Sequence, residues 1–400
     1  MLERSSFDLK GGSRRDGAVA HASGIHLRPG AAMTQAETSP IMRLVRPELL
    51  GMAGYEPVEP AEAVAQRYGI PSDQIAKLDG NENTYGPAPA TVEAIAAAAF
   101  EIYTDPDQRS LREALEDYTG LPKRMIVAGH GSDELIDLIG RALLAPGNKI
   151  LECTPTFGMY RFTAAVCGAE VTDVPRHEDF GLDLDRMRAA VDARTKAIFL
   201  PSPNNPTGNL LSEGEVDACL ELGPVVVVDE AYIEFAGLEH SFARLIPHRD
   251  NLIVLRTFSK WAGLAGLRLG YGLMPEPFAD LLRVIKPPYT PNVASEVAGV
   301  ASLQHRGELM AHVHEIVHER DRLMAALAEV PYLVPLPSAG NFILCHVRGG
   351  EARRLRDRLR ERGVFIRYFD EPAVRDCVRI SVARPKESEL LLEALREVEP

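Results

Sequence analysis

Six short apolar runs set the limits on what this chain can fold into. They fall at residues 125–128, 149–152, 170–174, 197–200, 225–228 and 252–255, and most are rich in Val, Ile and Leu. Each is too short for a buried helix, and several lack the polar alternation of a half-exposed strand. Such strands are buried on both faces, which calls for a mostly parallel sheet covered by helices. Helical periodicity appears between them, at 91–100, 110–118 and 133–144. From about residue 303 a long amphipathic helix is expected to run to 329. A different pattern follows: an apolar segment at 340–347, a helix over 351–362, strands at 364–368 and 377–382, and a last helix from 387. The expected fold class is α/β, a three-layer α/β/α large domain over 77–302 with a smaller α+β domain over 303–400. An arm at 45–76 precedes them, and residues 1–44 are expected to be a disordered extension.

Composition narrows the function. At 400 residues the chain has room for a large and a small domain. A formal net charge of −13 argues against nucleic acid or an anionic membrane as main partner. No apolar stretch approaches the ~20 residues that span a bilayer. Five cysteines, an odd number without a C-x-x-C spacing, read as reduced thiols and point to the cytoplasm. In the extension, Arg4, Arg14, Arg15 and Arg28 hint at a transit peptide. Glu3, Asp8 and Asp16 interrupt that pattern, no apolar h-region exists, and Met33 is an alternative start.

Polar clusters stand just past several of the predicted strands, where open α/β sheets place their ligands. Arg256-Thr257-Phe258-Ser259-Lys260 follows the run at 252–255, and Arg268 lies eight residues beyond Lys260. Two hydroxyls, a lysine and an arginine on one loop suit a phosphorylated cofactor held as a Schiff base. Gly129-His130-Gly131-Ser132-Asp133-Glu134 reads either as a phosphate-cradling turn or as a plain strand-to-helix turn capped by Ser132. The segment 202–208, Ser-Pro-Asn-Asn-Pro-Thr-Gly, reads by itself as a turn. Asp229 ends a buried strand and needs either an arginine or a protonated ring nitrogen beside it.

Together these clusters resemble the fold-type I, pyridoxal-phosphate-dependent aminotransferases, most closely the histidinol-phosphate aminotransferase family. The carrying motifs are Asn81-Glu82-Asn83-Thr84-Tyr85-Gly86-Pro87, the Gly-Ser-Asp-Glu at 131–134, Pro155-Thr156-Phe157-Gly158-Met159-Tyr160, the segment 203–208, the segment 229–232, the segment 257–268 and Arg379-Ile380-Ser381-Val382. They occur in family order from about residue 55 to the C-terminus.

The resemblance implies pyridoxal 5'-phosphate joined to Lys260. It implies Asp229 on the ring nitrogen, Asn205 and Tyr232 on the ring's 3-oxygen, and Phe157 stacked on the ring face. The phosphate would be held by Ser132, Asp133, Thr257, Ser259 and Arg268, with Tyr103 reaching it from a neighbouring subunit. Arg379 would clamp the substrate α-carboxylate, Arg367 the substrate's own phosphate, and Tyr55 would cross a homodimer interface. Lys260, Asp229 and Tyr232 form the expected catalytic group. The implied reaction transfers the amino group of histidinol phosphate to 2-oxoglutarate. The alternatives are an aromatic or other amino-acid aminotransferase and a related phospho-amino-acid decarboxylase.

Three departures from the family pattern, His130, Thr84 and Trp261, are expected to line or flank the pocket. Glu82 and Glu134 read either as structural pairs or as substrate contacts. His314-Glu315-Ile316-Val317-His318 fits the H-E-x-x-H spacing of zinc proteases, but His312, Glu319 and Arg320 crowd the same helix. The expectation there is a solvated charged face and no metal. A cofactor-binding regulator would need a DNA-binding module, which the sequence does not show.

Overall fold

The structure, a computed structural model, describes residues 39–398 except 53, 55–59, 72 and 73. Its strands are β1 (Ala76–Leu78), β2 (Ile126–Gly129), β3 (Lys149–Glu152), β4 (Glu170–Asp173), β5 (Thr195–Pro201), β6 (Val225–Asp229), β7 (Leu252–Thr257), β8 (Gly270–Leu273), β9 (Leu333–Pro335), β10 (Phe342–Val347), β11 (Val364–Tyr368) and β12 (Cys377–Ser381).

Seven of them form one sheet in the order β2-β8-β7-β6-β5-β3-β4. The pairs β7–β6, β6–β5, β5–β3 and β3–β4 are parallel, and β8 runs antiparallel to both of its neighbours. Val226, Val227 and Val228 are all buried, so both faces of β6 are covered, as its unbroken valine run requires. One apolar cluster lies on each face. Val226 and Val228 pack with Ile198, Leu200 and Val254, while Val227 packs with Ile139, Phe199 and Leu255. The other five strands form a second sheet, β1-β11-β12-β10-β9, antiparallel apart from the β1–β11 pair. β1 straddles residue 77, so the start of the expected large domain is hydrogen-bonded to the C-terminal sheet.

Three differences from the expected elements have clear causes. β7 continues past residue 255 through Arg256 and Thr257, because Arg256 is buried and neutralised by Glu230 at 3.0 Å rather than turned to solvent. β8 carries two glycines, which weaken strand propensity. A Cβ on Gly270 would come within 2.5 Å of the Ser132 nitrogen, so the strand sacrifices propensity for close approach to helix Gly131–Leu143. The expected helix from 303 to 329 is two helices, Val293–Gln304 and Arg306–Ala328, separated at His305. The break falls in the polar stretch Gln304-His305-Arg306-Gly307, where Gly307 lowers helical preference.

Candidate active site

The parallel strands β5, β6 and β7 end side by side, and each end delivers polar residues to the same space. β6 ends in Asp229 and β7 in Thr257, with Ser259 and Lys260 on the loop that follows. β2 runs the same way as these strands and leads into helix Gly131–Leu143, whose first turn brings in Ser132 and Asp133.

Asp229 is 4% exposed. Its Oδ2 accepts the Tyr160 hydroxyl at 2.9 Å and its Oδ1 accepts the Ala231 N–H at 3.1 Å. Burial pushes its carboxyl up to about 6, the Tyr160 hydrogen bond acting in the opposite direction. The nearby buried arginine serves a different acid. Arg256 pairs with Glu230, and Ser241 and the Phe242 N–H complete that network. Among the described residues no cation is bridged to Asp229, so the salt-bridge alternative fails and the need for a cationic partner remains.

Lys260 donates from Nζ to the Gly80 carbonyl at 2.9 Å and lies 5.8 Å from the centre of the Tyr232 ring. Burial, helped by the Arg379 and Arg268 cations, lowers its ammonium to about 8, against an ordinary 10.5. A neutral amine is thus accessible near neutral pH, as a nucleophile requires. Tyr232 accepts from Asn81 Nδ2 at 3.1 Å.

The phosphate ligands expected from the sequence come together. Arg268 has φ 52 and lies against the start of helix Gly131–Leu143, its Nη2 2.8 Å from Asp133 Oδ2. A Cβ on Gly131, itself at φ 77, would fall 2.9 Å from that same nitrogen. Thr257 Oγ1 is 2.9 Å from Ser259 Oγ and accepts the Ser259 N–H at 3.1 Å. Backbone N–H groups at a helix start, two hydroxyls and a guanidinium make a donor set suited to a phosphate dianion. The residues present therefore fit pyridoxal phosphate, with Asp229 available to a protonated ring nitrogen.

Phe157 meets Tyr160 edge-on at 5.7 Å between ring centres. Asn205 Oδ1 accepts Arg379 Nη1 at 2.6 Å, and Arg379 Nη2 donates to the Asp79 carbonyl at 2.6 Å. Arg367 is the register partner of Arg379 across β11 and β12. The guanidinium carbons of Arg367 and Arg379 lie 5.7 and 5.5 Å from the Phe369 ring centre. Tyr103 lies at the surface of the chain. It is 79% exposed and stacks on Tyr289 at 4.5 Å. Tyr55 lies outside the described residues.

Trp261, next to Lys260 in the chain, is placed in the core rather than on an open surface. It is fully buried behind the lysine, stacked on Tyr118 at 5.6 Å and tilted against Phe258. Glu134 folds back to accept the His130 N–H at 2.6 Å, and Glu82 pairs with Lys77. Both carboxylates have structural partners. In the H-E-x-x-H helix, His314 and His318 are exposed and His312 stacks on Tyr85.

Sequence reasoning placed residues 81–83 in a motif but gave no role to Asp79, Gly80 or Asn81, whose segment carries two of the carbonyls just named and joins the two sheets. Asn81 donates its N–H to Ser381 Oγ at 2.8 Å, and its carbonyl accepts Asn341 Nδ2 at 3.0 Å. The Gly80-Asn81 dipeptide was a turn signal, and Asn81 does adopt φ 51. Tyr160 was missed as a partner of Asp229, since no sequence spacing links positions 69 residues apart.

With this geometry in place, the chain belongs to the class I and II aminotransferases, whose family description matches residues 73–395. It is 49% identical over 368 residues to a histidinol-phosphate aminotransferase of Roseiflexus castenholzii, covering 90% of this chain and 99% of that one. A chloroplastic histidinol-phosphate aminotransferase of Arabidopsis thaliana is 46% identical, with 88% and 85% covered. Among solved structures, the histidinol-phosphate aminotransferase of Sinorhizobium meliloti in complex with pyridoxal-5'-phosphate superposes with a TM-score of 0.81 at 29% identity, covering 89% of this chain and 98% of that one.

Proposed function

We propose that this chain is a pyridoxal-phosphate-dependent aminotransferase that moves the amino group of histidinol phosphate to 2-oxoglutarate, a step of histidine biosynthesis. The observation that carries the reading is the pairing of Arg367 with Arg379 in direct register. The donor carries a phosphate and the acceptor an α-carboxylate, and each anion needs a cation of its own. Arg379, already aimed at Asn205, serves the carboxylate as a two-pronged donor, and Arg367 serves the phosphate. The 49% identity to a histidinol-phosphate aminotransferase supports the same donor.

When bound, pyridoxal phosphate supplies an electron sink that acidifies the Cα–H of the amine joined to it. The remaining work falls to the chain. Ser132, Asp133, Thr257, Ser259 and Arg268 fix the phosphate end. Phe157 covers the ring face, Asn205 and Tyr232 hold the ring's 3-oxygen, and Asp229 holds the proton on the ring nitrogen. Lys260 would anchor the cofactor, and its Nζ would serve as the base for the Cα proton.

The exposed apolar side chains Val92, Phe100, Ile102 and Tyr103 support a homodimer, in which Tyr103 and Tyr55 would complete the partner's site. Among the described residues no strand is shared between the two sheets, which supports a large domain within 77–302 and a small one over 303–400, with β1 (Ala76–Leu78) counted in the small domain's sheet. Among the described residues no helix is long and apolar enough to cross a membrane, and a cytoplasmic site of action is part of the reading.

The test is a donor panel read by the absorbance change of the bound cofactor, with glutamate formation followed in parallel. Histidinol phosphate should react fastest and make glutamate only when 2-oxoglutarate is present. A preference for phenylalanine or tyrosine would replace this reading with a general aromatic aminotransferase. Carbon dioxide release from a phosphorylated amino acid would replace it with a decarboxylase.

A further inference from the structure

Tyr160 gives the Pro155–Tyr160 motif a second role beyond its ring-stacking phenylalanine. It lies in the first turn of helix Met159–Val166, is fully buried, and donates its phenolic hydrogen to Asp229 Oδ2 at 2.9 Å. Its ring is held on two sides, stacked on Phe199 of β5 at 4.8 Å and edge-on to Phe157 at 5.7 Å. The Ala231 N–H takes the other carboxylate oxygen. With both oxygens engaged, the plane of the carboxylate is fixed and its free lone pairs have one direction left to point.

The charges around this pair make the hydroxyl consequential. Asp133 and Glu230 both raise the proton affinity of Asp229, on top of burial. Glu230 is occupied by Arg256, Ser241 and the Phe242 N–H, so it neither relieves nor replaces Asp229. Of the influences that keep Asp229 ionised, the Tyr160 hydrogen bond is the largest.

We propose that Tyr160 is a positioning residue of the reaction, fixing the direction of the Asp229 carboxylate and holding it as an anion ready for a protonated ring nitrogen. The proposal rests on the assignment of Asp229 to the cofactor ring and is independent of which amine is the donor.

Tyr160→Phe removes one oxygen and keeps the ring with both aromatic contacts. Affinity for pyridoxal phosphate, titrated by absorbance from pH 5 to 8, should fall by about tenfold near pH 6, the scale of one charge-assisted hydrogen bond. The acid limb, where affinity drops as Asp229 takes up a proton, should move up by about one pH unit, since the bond favours the ionised form. With any accepted donor kcat should fall by about tenfold while KM stays within about twofold. In Asp229→Asn the limb should vanish, and adding Tyr160→Phe should change neither affinity nor kcat further, because the tyrosine acts through a group no longer there. Coincidence of Tyr160→Phe with the unaltered protein in limb and kcat overturns the proposal. Equal losses in both backgrounds also overturn it, since they would mean general loosening of the site. An Asp229→Asn protein that keeps the limb removes the assignment beneath it. An error in the donor would show in the donor panel and leave this titration untouched.

Discussion

Asp229 and Lys260 leave adjacent parallel strands of the seven-stranded sheet, whereas Arg367 and Arg379 face each other on antiparallel strands of the five-stranded sheet. Burial moves both proton affinities of the first pair towards neutrality. The second pair flanks one aromatic ring, and Arg379 reaches across to Asn205 of the other layer. The contrast divides the labour. Under the proposed function, the large sheet holds groups whose chemistry does not depend on which amine arrives, and the small sheet holds groups that distinguish one anion from another. Substitutions in the first should therefore damage every substrate alike, and substitutions in the second should change their ranking.

The largest effect belongs to Lys260→Ala. It should abolish the visible absorbance of the lysine-bound cofactor and lower turnover by several orders of magnitude for every donor, on the scale of losing a covalent catalyst. Steady-state turnover at the unaltered rate would break the assignment. Asp229→Asn comes next. The cofactor should stay bound at saturating concentration while kcat falls by about a hundredfold or more, the size typical for removal of a buried electrostatic group. Single-turnover loss of the Cα hydrogen measures it directly, and equal rates in both proteins would contradict the ring-nitrogen role. Arg379→Lys keeps the charge but not the two-pronged geometry. It should raise KM for 2-oxoglutarate by about tenfold with a smaller change in kcat, read from initial rates against oxo acid concentration.

The smallest effect concerns stability. In the cofactor-free protein Lys260 has its affinity lowered to about 8, below the 10.5 of an unfolded chain. Between those values the unfolded chain binds more protons, so this lysine's contribution to stability rises with pH across that window, and its penalty is fullest below about pH 8. Lys260→Met should accordingly melt about 1–2 °C higher than the unaltered apoprotein at pH 7, with the gap closing towards pH 10. A gap that widens with pH would show that the amine is not held in its neutral form by burial.

Much of the large sheet was readable in advance. Runs such as 225–228 admit little but a strand buried on both faces, and the polar residues that follow them mark the carboxyl end where ligands gather. β8 was not readable, because Gly270 serves close packing against Ser132, and Gly272 against the Met274 and Leu255 side chains, rather than strand propensity. β1 and β9 have only three residues each, too few to show a period. In the candidate site, Lys260, Asp229 and the residues proposed to hold the phosphate stood out because most sit beside a strand in the sequence. Tyr160 and the carbonyls of Asp79 and Gly80 act from other elements, and only the folded chain brings them to Asp229, Arg379 and Lys260. Arg379 was placed by its motif, but its position opposite Arg367 is a property of the strand register.

The division of labour is tested most directly by the ratio of kcat/KM for histidinol phosphate to that for phenylalanine, compared between the unaltered enzyme and Arg367→Ala. Loss of one charge-assisted phosphate contact should lower that ratio by about ten- to a hundredfold, with kcat/KM for phenylalanine itself nearly unchanged. A ratio that stays the same, with both substrates losing equally, would contradict the account, because it would place Arg367 in the scaffold and leave the small sheet without its selecting cation.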